Sequence, residues 1–167
     1  MFETLKQARA EATTAAVMEQ LVQRKQQRLG ALPSHVWRDP YVVAYMQIVV
    51  AGLLKSHSSG EHGDKDFHFA VARVWQQATG QHAFYLLQQM SLPWSTRGAE
   101  AKQGLEDAAL WLAFCERRPN FANPRARDIF REAQSRGSAD TMAAAAEILV
   151  GSGIFRRVGE LVRPEAA

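Results

Sequence analysis

Residues 41–54 form the longest apolar run of the chain, broken only by Gln47 and Gly52 and bounded by Asp39 and Lys55. A helix this apolar on every side belongs at the centre of a fold. It is shorter than the roughly 20 residues needed to cross a bilayer, so the pattern predicts a buried core helix and no membrane partner. Asp39-Pro40 opens it: the aspartate accepts bonds from orphan N–H groups, and proline at the first helical position loses nothing. Residues 56–63 collect serine, glycine and histidine and read as a loop.

Around this helix the polar and apolar positions predict further helices. Residues 2–29 contain no internal glycine or proline, with Gly30 suited to end the helix and Pro33 to stop it. The apolar residues there are mostly small: Leu5, Ala8, Ala12, Ala15, Met18, Leu21 and Val22. Asp64 or Asp66 caps a third helix, in which Phe67, Ala70, Val71, Val74, Trp75 and Ala78 share one face up to Gly80. A short fourth helix covers 81–92. A fifth runs from Ser95 or Thr96 to about Arg118, with Leu105, Ala108, Leu112 and Cys115 inward. Asn123-Pro124 repeats the cap-plus-proline signal for a sixth, which turns Ala126, Ile129, Phe130 and Ala133 inward and ends at Gly137. Ser138 or Asp140 caps a seventh over 141–150, and Gly151 and Gly153 stop it.

The end of the chain changes character. Ile154-Phe155-Arg156-Arg157-Val158, then Gly159-Glu160, then Leu161-Val162-Arg163 predicts a small hairpin. Helices over 100–118, 124–136 and 138–150 followed by a two-strand ribbon resemble a winged helix-turn-helix unit, with 145–157 as a recognition helix running into a wing. That resemblance implies nucleic-acid contact through Arg125, Arg127, Arg131, Arg156, Arg157 and Arg163. Residues 138–153 argue against base reading, because they carry Asp140 and Glu147 and no lysine or arginine.

The expected fold is all-α, a bundle of six to seven helices around a buried central helix, closing in a C-terminal β-hairpin. It is read as one compact domain over 1–167, which could subdivide into a helical bundle over 1–97 and a winged-helix-like unit over 98–164. Composition agrees: 47% of residues are hydrophobic and 22% charged, as in ordinary globular chains.

Charge adds little direction. The formal net charge is only +3. The local excess sits at Arg24, Lys25, Arg28 and Arg38, and again between Arg117 and Arg136. The lone cysteine, Cys115, rules out an internal disulfide and reads as an inert core thiol in a reducing, cytoplasmic setting. Residues 1–30 lack the continuous apolar segment of a secretory signal. His57, Glu61, His62, Asp64, Asp66 and His68 crowd together, but their spacing matches no metal motif, so no metal and no cofactor are expected. Gly151-Ser152-Gly153 follows a helix rather than leading into one and reads as a cap, not a phosphate cradle.

No catalytic set is readable. The expected function is a non-catalytic helical interaction or adaptor module that binds another protein or itself; the alternative is nucleic-acid binding through the C-terminal unit and the basic end of the first helix. Residues 83–87 are apolar all round a short helix, and Trp94 follows a proline. Tyr85, Leu86 and Trp94 are therefore the candidate partner contacts.

Overall fold

The computed structural model describes residues 2–57 and 64–163. Eight α-helices follow one another there: α1 (Phe2–Leu29), α2 (Pro40–His57), α3 (Asp64–Thr79), α4 (Phe84–Ser91), α5 (Ala99–Cys115), α6 (Pro124–Ser135), α7 (Thr141–Val150) and α8 (Arg156–Val162). Short 3-10 turns at Ser34–Arg38 and Trp94–Thr96 lead into α2 and α5. No strand occurs among the described residues, and no helix among them is long and apolar enough to cross a membrane.

The all-round apolar character of 41–54 has the expected consequence. α2 packs against α1, α3 and α5 and also meets α8. Val42, Val43, Ala44, Tyr45, Val49 and Val50 are all buried. Its cap forms as the sequence predicts, with the Val42 N–H donating to Asp39 Oδ1 at 3.1 Å. Asn123 and Asp140 cap α6 and α7 in the same way. Gly30, Gly80 and Gly137 hold positive φ at three helix ends, where a side chain would be strained. The six apolar residues assigned to the inner face of α3 lie inward, with Phe67 half-buried and the rest buried.

Three expectations need correction. The first part of the α1 stripe is wrong: Leu5, Ala8 and Ala12 are exposed, and Ala10, Thr14, Ala15, Met18 and Val22 form the buried face. Small side chains mark a helix face weakly, because alanine costs little on either side. The inner face of α5 is rotated. Ala101, Gly104, Ala108, Trp111 and Phe114 lie inward, and Cys115 is exposed.

The third correction removes the C-terminal hairpin and with it the wing. After α7 the chain does not turn: Gly151–Phe155 forms a wide π turn that runs straight into α8. Gly151 keeps helical angles, φ −66° and ψ −49°, so it does not act as a stop. Ser152 Oγ donates back to the Ile148 carbonyl at 2.8 Å. The glycine that matters is Gly153, where a Cβ would sit 2.9 Å from the Tyr41 hydroxyl oxygen. The small residue serves close approach between elements, not a reversal of direction.

A still closer approach joins α2 and α5, where a Cβ on Gly104 would overlap the Tyr41 carbonyl oxygen, a backbone atom that cannot step aside. Gly104→Ala is expected to destabilise by about 1–3 kcal/mol from overpacking, although alanine is the better helix former. Gly151 faces open space in helical backbone, so Gly151→Ala is expected to stabilise by about 0.5–1 kcal/mol. Urea midpoints for the two variants should move in opposite directions. A Gly104→Ala midpoint at or above wild type would show that the crossing is looser than described.

Candidate functional site

Three features place polar or exposed aromatic chemistry at defined positions. The first is a buried polar seam where α2, α5 and the π turn meet. Gly104 brings α5 against Tyr41, and Asp107 lies one helical turn further on, only 2% exposed. The Tyr41 hydroxyl donates to Asp107 Oδ2 at 2.6 Å, and the Arg125 guanidinium pairs with Oδ1. Burial, and then the bond to Asp107, raises the Tyr41 phenol well above its usual range; the bond to Asp107 likewise raises Arg125. A second ion pair closes the other end of the π turn. Arg157 donates to Asp39 Oδ2 at 2.6 Å and to Glu100 at 2.9 Å, so Asp39 caps α2 with one oxygen and holds α8 with the other. These groups are spent on one another, and the tyrosine is held as a neutral donor.

The second feature is basic. Two cavities of about 330 and 530 Å³ share Arg28, Gly151 and Phe155 between the end of α1 and the π turn with α8. Arg24 and Arg136 belong to the smaller, and Lys25, Arg156 and Arg163 to the larger. The Arg24 and Lys25 head groups both lie over the Phe155 ring, at 5.7 and 5.2 Å. Arg24 is paired with Glu147 at 2.8 Å and Arg156 with Glu160 at 2.6 Å. Lys25, Arg28 and Arg163 make no ion pair with a described residue.

The third is an aromatic cleft of about 340 Å³ between the 3-10 turn at Ser34–Arg38, the end of α3, and α4. Trp37 and Trp75 form its floor, meeting edge to face at 5.9 Å. Phe84 and Tyr85 stand on the α4 side, with Arg38 and His82 at the rim. Phe84 is 68% exposed. It starts α4, where its backbone N–H donates to His82 Nδ1 at 3.1 Å, and its ring stands at the mouth of the cleft.

The residues singled out from sequence do not form the two sites expected of them. Of the six arginines, Arg125 and Arg157 are engaged with the carboxylates of the seam. Arg127 donates to the Phe121 carbonyl at 2.9 Å, and Arg131 faces Asp128 at 3.9 Å. Only Arg156 and Arg163 reach the basic cavities, where they meet the basic end of α1. Of the three partner candidates, Tyr85 lines the aromatic cleft, Leu86 is 1% exposed and turned into the core, and Trp94 lies under Arg97, whose guanidinium carbon is 3.5 Å from the ring centroid. Sequence reading missed Trp37, Arg38 and Phe84 as one group, because two elements far apart in the chain, the 3-10 turn and α4, supply them.

Glu61 and His62 of the histidine and acid cluster lie outside the described residues. Among those that are described, no three potential ligands converge, and His57 Nδ1 sits 3.3 Å from Thr14 Oγ1. Cys115 lies on the outside of α5. Burial of its sulfur, with Glu116 and Glu147 nearby, pushes the thiol up to about 11, so it carries little thiolate at neutral pH. No family model, no curated protein and no solved structure matches this chain.

Proposed function

We propose that the chain is a non-catalytic interaction module and that it docks a segment of another protein in the cleft between α3 and α4. The observation that carries this reading is Phe84, a large apolar side chain exposed at the mouth of a cleft floored by two tryptophans. An aromatic ring mostly exposed to water contributes little to folding, whereas buried aromatic anchors dominate the energetics of protein interfaces. The polar seam supports the same reading, because its carboxylates and tyrosine are engaged with each other rather than presented to a substrate.

The cleft also indicates the chemistry of the partner. Arg38 at the rim is exposed and has no ion pair with a described residue. A peptide with an aromatic or leucine anchor beside an aspartate or glutamate would fill the floor and satisfy this charge. The test is selection of peptides from a displayed random library, followed by titration of the strongest against wild type, Phe84→Ser and Arg38→Glu. Selected peptides should combine an apolar anchor with an acid. Each variant should weaken them by about tenfold or more while leaving the melting temperature within a degree or two, since both side chains are exposed. Peptides that bind both variants as well as wild type, or a library that yields none, would remove the cleft as the docking site.

A further inference from the structure

We infer that the two basic cavities flanking Phe155 form one binding site for a small anion carrying two or more phosphate groups. Six cationic side chains, Arg24, Lys25, Arg28, Arg136, Arg156 and Arg163, line these cavities against two carboxylates, Glu147 and Glu160. Three of the six have no ion pair with a described residue. Arg24 and Arg28 lie four residues apart on α1 and Lys25 and Arg28 three, spacings at which like charges on a helix repel. Burial, and then the charge of Arg28, lowers the Lys25 ammonium below its ordinary range. The folded chain therefore holds like charges together at a cost that a multivalent anion would relieve.

The shape sets the size of the ligand. The cavities share Arg28 and the open face of Gly151, where no atom lies within 4 Å of a would-be Cβ. One phosphate would engage one cavity; linked phosphates would span the shared mouth and reach both sets of donors. Arginine forks and a lysine ammonium suit phosphate oxygens. The positive field ends within a short distance. The adjoining cavity, beyond Gly151 and towards α6, holds Asp128, Glu132 and Glu147 against Arg125 and Arg136. A long polyanion following the surface would run into those acids, so the geometry favours a compact polyphosphate over a nucleic-acid strand. This site is separate from the aromatic cleft, and either can fail without the other.

The experiment is calorimetric titration of the whole chain with tripolyphosphate near physiological salt, with sulfate and thymidine oligonucleotides of increasing length run alongside. Tripolyphosphate should bind saturably at one site and raise the melting temperature, with sulfate at least about tenfold weaker, since each charge-assisted hydrogen bond to a phosphate is worth roughly that factor. Gly151→Glu places a carboxylate in the shared mouth without crowding the helix, and should remove binding while the protein still melts cooperatively. Lys25→Gln combined with Arg28→Gln should weaken binding by about a hundredfold, as the loss of two such contacts, and leave the fold intact. Absence of saturable tripolyphosphate binding, or equal binding in both variants, would overturn the proposal. Oligonucleotides that bind more tightly than tripolyphosphate, with affinity rising with length, would also overturn it and assign the patch to a nucleic-acid backbone.

Discussion

Val49→Asp is expected to abolish cooperative folding. Val49 is fully buried in α2, the helix that packs against α1, α3 and α5. An aspartate there would place a carboxylate within the apolar core. An unpaired buried carboxylate costs several kcal/mol, comparable to the roughly 5–15 kcal/mol that holds a domain together. The same helix already buries an amide side chain, and the contrast is instructive. Gln47 is neutral, and its Oε1 accepts from Arg97 Nη1 at 2.9 Å. The variant should appear in the insoluble fraction, or show no melting transition by circular dichroism. A soluble Val49→Asp protein with a sharp transition would show that α2 tolerates water and is not central.

The second large effect belongs to Asp107. Asp107→Ala leaves the Tyr41 hydroxyl buried without its acceptor and separates Arg125 from its counter-ion. Breaking a buried pair by removing one partner typically costs about 3–5 kcal/mol. Arg125 is nearly half exposed and can turn to water, so a loss of about 2–4 kcal/mol is expected. Tyr41→Phe should cost about 1 kcal/mol alone. The double variant should fall short of the sum, because one change removes what the other would orphan. Denaturant midpoints complete the cycle; additive losses to within about 0.5 kcal/mol would mean that the phenol and the carboxylate act independently.

Local signals were readable wherever backbone chemistry alone decides the structure. Asp39, Asn123 and Asp140 cap the helices they were assigned, and Gly30, Gly80 and Gly137 adopt the positive φ that only glycine takes easily. Residues 141–150 form α7 with the bounds read from sequence. What failed depended on partners far along the chain. Arg157 reads as a surface charge until Asp39, 118 residues away, is seen beside it. Gly151-Ser152-Gly153 looks like a terminator because glycine is a poor helix former, and nothing local reveals that Gly153 must lie against a tyrosine from α2. The basic cavities were half legible. The charge at the end of α1 was evident, but with α7 expected to stop at Gly151 and give way to a hairpin, nothing local placed Arg156 and Arg163 on a continuing helix beside it.

The π turn also fixes how the last part of the chain can vary in length. It accommodates one residue more than an α-helical turn, and each residue advances a helix by about 100°. Inserting a further residue between α7 and α8 would exceed what this turn absorbs, and every side chain beyond it would rotate by that angle. Arg157 would leave Asp39, and Val158 would leave the core, while the composition of α8 stayed the same. Substitutions on the exposed side of this segment are therefore tolerable in a way that single-residue insertions are not. The segment sets the phase of α8 as a spacer of fixed length, and point changes and changes of length there act on different properties of the protein.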